Sequence, residues 1–254
     1  MIDNSKNNIV AIIQARIGST RLPGKVLMEI EGIPLLEIMM NRVSNSKLLD
    51  KIVIATSSLS NDDQIEIFCN KNGYKCFRGS EQDVLLRYYD CAKKYNADTI
   101  VRLTADCPLI DPIIIDKVIH LFLDKEVDYA ANTVPPNSST FPDGSDVEVF
   151  SFEALTKAQI EAKDPKDREH VTFYFWMYDN GFRTVLFNNE EKDFSDYRYT
   201  IDYPEDFEVV SFLIKRIFQD GIEGTVEEII SLLDSNPDIK NKNSKYYFGI
   251  GWEQ

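Results

Sequence analysis

Histidine and cysteine are scarce in this chain: His120 and His170, with Cys69, Cys76, Cys91 and Cys107, are all that 254 residues contain. The cysteines include no C-x-x-C pair and the histidines stand far apart, which argues against a zinc site of the Cys/His type. A chain of this length does not need disulfides to hold a core, so reduced and mostly buried thiols are expected. No run approaches the roughly 18 consecutive apolar residues that cross a bilayer. The opening residues 1–6 lack the basic-then-apolar plan of a secretory leader, so the cytoplasm is the expected compartment and no membrane partner is expected. Also missing are the nucleotide fingerprints G-x-x-x-x-G-K-[ST] and G-x-G-x-x-G, and any Asp-x-Asp pair.

Acidic residues outnumber basic ones by 42 to 28, a net charge of −14. That charge repels a polyanion and argues against a nucleic-acid partner. The imbalance reverses over residues 1–28, where Lys6, Arg16, Arg21 and Lys25 face Asp3 alone for a local charge of +3, leaving −17 for the rest. One short basic segment on an acidic protein suits a single small anion. With 43% hydrophobic residues the composition is that of an ordinary globular protein, long enough for one large α/β domain.

Apolar, β-branched runs at residues 9–13, 51–56 and 99–104 predict buried strands, and residues 34–43, 61–72 and 81–95 between them predict helices. Asn61 or Asp62 is the expected cap of the second helix, and the third follows Ser80. A further helix is expected from Asp111-Pro112 to about residue 123, then a strand over 128–131. This alternation predicts an α/β fold with a mostly parallel central sheet and helices on both faces. After Asn132 the pattern breaks. Residues 134–146 are rich in turn formers, 147–150 resume a strand, and helices are expected near 151–163 and 167–180. Strands are expected over 182–187 and 199–201, and helices over 204–219 and 225–233. The simplest plan is one domain over 1–254, with residues 133–198 inserted and a polar tail over 236–254 that is loose until the aromatic Tyr246-Tyr247-Phe248 docks.

Residues 14–25, Q-A-R-I-G-S-T-R-L-P-G-K, leave the carboxyl end of the first strand, where open α/β sheets bind ligands. Ala15, Gly18, Ser19 and Gly24 let backbone N–H groups come close to an anion. Arg16, Arg21 and Lys25 add the charge a phosphate takes. The segment opening on Gln14 therefore reads as a phosphate-binding loop, against the alternative of an ordinary basic surface loop.

This stretch resembles the signature loop Q-A-R-x-G-S-T-R-L-P-G-K of cytidylyltransferases that activate acidic sugars, the CMP-Kdo and CMP-sialic acid synthetases. It is closest to the branch called spore coat polysaccharide biosynthesis protein F. The likeness continues through R-G-S-E-Q-D-V-L-L-R-Y at 78–88, V-R-L-T-A-D-C-P-L-I-D-P at 101–112 and F-P-D-G-S-D-V-E-V-F at 141–150. It ends with R-E-H-V-T at 168–172 and Y-T-I-D-Y-P-E-D at 199–206. The resemblance implies a glycosyltransferase-A-like nucleotidyltransferase fold and CTP as donor. It also implies that Arg16 and Lys25 hold the triphosphate as the catalytic pair, and that Asp106 and Asp202 bind Mg2+. It places Arg78, Ser80 and Asp83 near the nucleobase, although Ser80 and Asp83 are equally well placed to cap a helix. Synthetases of this type are commonly dimers, so a homodimer through residues 133–198 is expected.

In nucleotidyl transfer the acceptor oxygen attacks the α-phosphorus in line with leaving pyrophosphate, so positioning and charge neutralisation carry the rate. Magnesium keeps several waters, so one or two carboxylates suffice beside the phosphates. Asp106 and Asp202 both end apolar runs, and two strands ending at one edge would present them together; helix capping is the competing role. Arg102, flanked by Val101 and Leu103, needs a partner, in a salt bridge or a substrate. Asp143, Asp146 and Glu148 are either turn residues or an acceptor wall. His170 is structural or catalytic, and Arg168 is placed to hold an acceptor carboxylate. The acceptor set is thus Arg102, Asp146, Glu148, Arg168 and His170, for a small anionic acceptor. The alternatives are a phosphate or phosphonate acceptor, and a glycosyltransferase using a nucleotide-sugar, against which the missing Asp-x-Asp counts.

Overall fold

A computed structural model describes residues 7–252; residues 1–6, which carry Asp3, Lys6 and the opening pattern discussed above, lie outside it, as do 253 and 254. The chain runs through β1 (Ile9–Gln14), a small hairpin of β2 (Glu29–Ile30) and β3 (Ile33–Pro34), α1 (Leu35–Val43), β4 (Lys51–Ser57) and α2 (Asp63–Asn72). It continues with β5 (Lys75–Gly79), α3 (Val84–Lys94), β6 (Thr99–Thr104), α4 (Pro112–Lys125), β7 (Tyr129–Ala131) and β8 (Glu148–Ser151). Then come α5 (Phe152–Glu161), α6 (Pro165–His170), α7 (Phe173–Trp176), β9 (Thr184–Leu186), α8 (Pro204–Asp220), α9 (Val226–Asp234) and α10 (Pro237–Lys240).

Seven strands form one sheet in the order β5-β4-β1-β6-β8-β7-β9. The pairs β5–β4, β4–β1 and β1–β6 are parallel, whereas β8 is antiparallel to both β6 and β7. The expected α/β architecture with a mostly parallel sheet is the one observed. Alternation along β1 splits its side chains between two cores, because successive strand residues face opposite sides. Ile9, Ala11 and Ile13 join Leu36, Met39, Ile115 and Val118 of α1 and α4. Val10 and Ile12 join Leu85, Tyr88 and Leu155 of α3 and α5. A third core packs α8 and α9 against Leu35 and Ile38 of α1. No helix is long and apolar enough to cross a membrane among the described residues, and all four cysteines are free thiols, three of them buried.

Several local expectations change. Asp62 makes no cap bond to α2; its carboxylate accepts instead from Ile17 N (2.8 Å), Ser57 N (3.1 Å) and Ser57 Oγ (2.5 Å), tying the loop after β1 to the end of β4. The third helix begins later than expected, at Val84, capped by Asp83, whose carboxylate accepts from Leu86 N at 2.8 Å. The helix expected over 167–180 is two short ones, α6 and α7, broken where Val171 takes φ +63°. Strand β5 has no counterpart in the sequence reading. Residues 199–201 are not a strand: Tyr199 N and Thr200 N donate to Asp143 O, and Ile201 N donates to Asp106 O, so their hydrogen bonds go to loops. Within residues 133–198, β8 lies between β6 and β7 in the main sheet. The tail after Asn236 is docked, through α10 and a buried Asn243.

Gly144 makes the loop over Tyr199 and Thr200 possible. At φ +116° it lies where L-residues rarely go, and a Cβ there would sit 2.6 Å from Thr200 N. Gly24, at φ +73°, has open space around it. We therefore expect Gly144→Ala to cost at least about 2 kcal/mol through strain and collision, and Gly24→Ala about 1 kcal/mol through strain alone. Urea unfolding midpoints at unchanged slope measure both.

Candidate active site

Two hydrogen bonds prolong the sheet past β1: Ala15 N donates to Ala55 O at 3.1 Å, and Ala105 N to Gln14 O at 2.9 Å. They deliver Arg16 and Asp106 to the same carboxyl edge. Within the loop, Ile17 O accepts from Ser19 N (2.8 Å) and Gly24 N (3.0 Å), and Ser19 Oγ accepts from Leu22 N (3.3 Å). The turn leads into a short 3-10 helix, Lys25–Leu27, that carries the Lys25 ammonium inward. All three of its donors are committed: to Asp106 Oδ2 (3.2 Å), to Asp202 Oδ1 (3.0 Å) and to the carbonyl of Ile201 (2.5 Å). Arg21 reaches the same Asp202 oxygen at 2.8 Å.

Behind Asp202 stands a second array. Arg198 pairs with Asp143, reaches Asp202 Oδ2 at 3.5 Å, and grips both oxygens of Asp206 at 2.9 Å. Asp206, fully buried, also accepts from Asp202 N (2.9 Å), Tyr203 N (3.0 Å) and Asn243 Nδ2 (2.9 Å). Burial opposes ionisation of Asp202, but the Lys25 charge and the hydrogen bonds from Arg21 and Lys25 outweigh it and lower its pKa to about 2. The same balance raises Lys25: desolvation is overcome by Asp106 and Asp202. Both partners thus favour the ionised pair.

These residues floor a cavity of about 140 Å3, lined by Arg16, Ser19, Arg21, Lys25, Asp106 and Asp202. It opens into a wider one of about 540 Å3, shared walls including Gln14, Arg16 and Asp106, whose far side carries Arg102, Asp146, Glu148, His170, Trp176 and Trp252. Gly18 lines the wider cavity, and Ala15 is buried at the edge. Arg16 is the open cation of the loop, its side chain 42% exposed and loosely paired with Glu81 at 3.5 Å. Gln14 Oε1 is buried with no hydrogen-bond partner among the described residues.

Of the remaining candidates, Arg102, Asp146, Glu148 and His170 line the wider cavity, whereas Arg78, Ser80, Asp83 and Arg168 line neither. Arg78 turns to Asp63 (2.6 Å), Glu66 (2.9 Å) and the carbonyls of Ser57 and Leu59, away from both cavities. Ser80 Oγ accepts from Asp83 N at 3.0 Å, and Asp83 is held by Arg168 through Nε (3.1 Å) and Nη2 (2.5 Å). That pairing accounts for Arg168, whose guanidinium faces Asp83 instead of an acceptor. Arg102 and Glu148 form a buried salt bridge that Tyr129 completes by donating to Glu148, although both line the wider cavity and Arg102 Nε has no partner among the described residues. Asp146 accepts from Thr133 Oγ1 (2.8 Å) and Gly144 N (2.9 Å), yet burial pushes its pKa up, helped by Asp106 and Glu148. His170 stacks on Phe173 at 4.4 Å, and burial lowers its pKa.

Arg198, Asp206 and Asn243 escaped the sequence reading as site residues, although the first two sit inside R-Y-T-I-D-Y-P-E-D at 198–206. Asp106 and Asp202 are held on one ammonium, that of Lys25, and offer the hard oxygen donors suited to magnesium. Among the described residues no group of three or more metal-type side chains gathers. An ion here would complete its shell from phosphate and water.

The sequence model of the cytidylyltransferase family matches residues 10–243. Over 239 residues the chain is 41% identical to an uncharacterised protein of Methanocaldococcus jannaschii, covering 93% of this chain and 94% of that one. It is 37% identical to the spore coat polysaccharide biosynthesis protein SpsF of Bacillus subtilis, covering 91% and 96%. It is 32% identical to an 8-amino-3,8-dideoxy-manno-octulosonate cytidylyltransferase of Shewanella woodyi, covering 78% and 70%. Among solved structures, a cytidylyltransferase from Leptospira borgpetersenii superposes with a TM-score of 0.85 at 36% identity, covering 93% and 98%. A CMP:2-keto-3-deoxy-manno-octonic acid synthetase shares the fold with a TM-score of 0.60 at 18% identity, covering 82% and 99%. The loop, the paired aspartates and the sheet that carries them therefore belong to a nucleotidyltransferase, and the chain is a member of the cytidylyltransferase family.

Proposed function

We propose that the chain transfers CMP from CTP to an acidic sugar or sugar-like acceptor and releases pyrophosphate, with Mg2+ as its metal. The observation that carries this reading is the meeting of Asp106 and Asp202 with Lys25, Arg21 and Arg16 on one cavity floor. Arg16, the most open of the cations, takes the triphosphate together with Arg21 and the loop backbone. Lys25, whose three donors are spent, acts through the carboxylates it holds. Asp106 and Asp202 would hold the ion, which neutralises phosphate charge and polarises the α-phosphate when bound. The acceptor enters from the wider cavity, whose lining includes Arg102. We further propose a cytoplasmic homodimer formed through the 133–198 region, where Ile160, Met177 and Tyr178 stand exposed.

Pyrophosphate release from CTP, with Mg2+ and a panel of sugar acids, is the direct test; no release with any acid tested would sink the proposal, and equal release from UTP, ATP or GTP would remove the base assignment. Asp106→Asn is expected to abolish release while leaving the far-ultraviolet circular dichroism unchanged, because its carboxylate is part exposed and holds no core together.

Arg16→Ala is expected to weaken CTP binding by about 10-fold or more, as loss of one phosphate-directed charge does. Arg78→Ala, remote from both cavities, should leave it unchanged. Isothermal calorimetry with CTP and Mg2+ on both proteins separates the loop from the β5 region as the nucleotide site.

The ion pair also carries a signature that needs no ligand. Asp202 has a folded pKa of about 2 against an ordinary 3.8, so its stabilisation is complete above the ordinary value and drains away as pH falls toward 2. The shift corresponds to about 2 kcal/mol. Urea midpoints measured from neutral pH down through this window should fall more steeply in the native protein than in Asp202→Asn.

A further inference from the structure

One buried carboxylate outside both cavities is committed to the basic loop. Asp62 is 2% exposed and closes the short 3-10 turn Ser60–Asp62 that follows β4. It lines neither cavity and makes no cap bond to α2, the helix it precedes. Its two oxygens are divided between two parts of the chain. Oδ1 accepts from the backbone N–H of Ile17 at 2.8 Å, in the loop 45 residues earlier. Oδ2 accepts from Ser57 N at 3.1 Å and from Ser57 Oγ at 2.5 Å, at the end of β4. Burial opposes its charge, but the bonds from Ile17 and Ser57 outweigh burial and lower its pKa, so the group that meets Ile17 at neutral pH is an anion. A charged acceptor makes a shorter and stronger bond to a backbone N–H than a neutral one does.

Ile17 is the residue on which the loop folds. Its carbonyl accepts from Ser19 N and Gly24 N, and its half-buried side chain packs against the core that includes Leu36 and Met39 of α1. The amide that Asp62 holds belongs to the peptide joining Arg16 to Ile17. On the other side of Arg16, Ala15 N donates to Ala55 O at 3.1 Å. The backbone of Arg16 is therefore pinned on both sides, to β4 through Ala55 and to the turn after β4 through Asp62. Its side chain meanwhile lines both cavities and stays 42% exposed. A fixed peptide under a long side chain limits where its guanidinium can go. The backbone entropy of this loop is then lost on folding and not when a ligand arrives, which is how preorganisation raises affinity.

We propose that Asp62 is a positioning residue for the triphosphate: without touching the ligand, its carboxylate holds the Arg16–Ile17 peptide so that Arg16 and the loop backbone meet the phosphates already in place. This rests on the reading of the basic loop as the CTP site. The division of the two oxygens separates this role from a merely structural one. Removing the whole carboxylate frees the loop and loosens the end of β4. Removing the Ser57 hydroxyl loosens the end of β4 alone, because the bond from Ile17 to Oδ1 remains.

Calorimetric titration of the full-length chain with CTP and Mg2+, at a temperature where circular dichroism shows every variant folded, makes the comparison. Asp62→Ala is expected to weaken CTP by about 10-fold, because apparent affinity falls in proportion to the fraction of chains whose loop is competent. Ser57→Ala is expected to keep the native affinity. Hydrogen exchange read by mass spectrometry over residues 16–24 should be faster in Asp62→Ala than in the native chain or Ser57→Ala, and CTP with Mg2+ should slow it again. Native affinity in Asp62→Ala, an equal loss in Ser57→Ala, or loop exchange that does not change would each overturn the positioning role. Should Asp62→Ala fail to fold, the native chain decides: the Ile17 amide is expected to exchange far more slowly than in an unstructured peptide, and exchange at the free-peptide rate would overturn the proposal. Failure of the native chain to bind CTP would instead strike the proposed activity, and the exchange measurements would still report whether Asp62 holds the loop.

Discussion

The Lys25 ammonium gathers three partners from two separate parts of the chain, 81 to 177 residues away in sequence. In this arrangement the ammonium and the two carboxylates settle their charges against one another. Two carboxylates facing one cavity repel each other, and a buried ammonium with nothing to pair would lose its charge. Joined, each removes the other's penalty, which is why the lysine is raised and Asp202 lowered in proton affinity. Taking one partner from such a set leaves an uncompensated charge at a cost of about 3–5 kcal/mol. The packing of the basic loop onto the Asp106 and Asp202 loops and the electrostatics of the cleft are thus one event.

Arg198 extends the logic outward. Its guanidinium neutralises Asp143 and Asp206 and touches Asp202, so the segment after residue 198 is held by ion pairs and loop carbonyls where a strand would have used a ladder. Because Ile201 N also donates to Asp106 O, the two aspartates are fixed to each other through backbone as well as through Lys25. A bare triphosphate would meet these carboxylates as like charges, whereas a triphosphate complexed with a divalent cation brings positive charge to the place where the acids stand. The acidity of the chain as a whole, −14, is then compatible with an anionic ligand: selection lies in the local arrangement, not in the net charge.

How far the sequence discloses this depends on whether a signal is local. Strands β1, β4 and β6 announce themselves because each carries buried apolar residues on both faces. Strand β5 hides because it is an edge strand, half exposed, with Lys75, Cys76 and Arg78 among its five residues. The apolar run Tyr199-Thr200-Ile201 is buried without being in the sheet, and burial alone does not distinguish those cases. Val171 at positive φ breaks a helix with no glycine or proline to mark it. The basic loop and its small residues are legible in the sequence, and Asp106 and Asp202 line one cavity with it. Arg78 and Arg168 were misplaced for a single reason: the carboxylates that claim them, Asp63 and Asp83, are chosen by the folded chain, and an arginine looks the same in sequence whether it meets a ligand or a neighbour.

Asp206 shows how the two ends of the cavity are joined. Its carboxylate accepts from the backbone of Asp202 and Tyr203, from Arg198 and from Asn243. Asn243 opens the stretch that leads to Tyr246, which stacks on Tyr203 one residue beyond Asp202. Arg21, the loop cation that reaches Asp202, lies over the other ring of that pair, Tyr203, at 5.3 Å. Asp202 and the C-terminal segment are therefore held by one buried carboxylate, Asp206, and by one stacked pair of tyrosines, all at the start of α8, because the first turn of that helix supplies the acceptor for both.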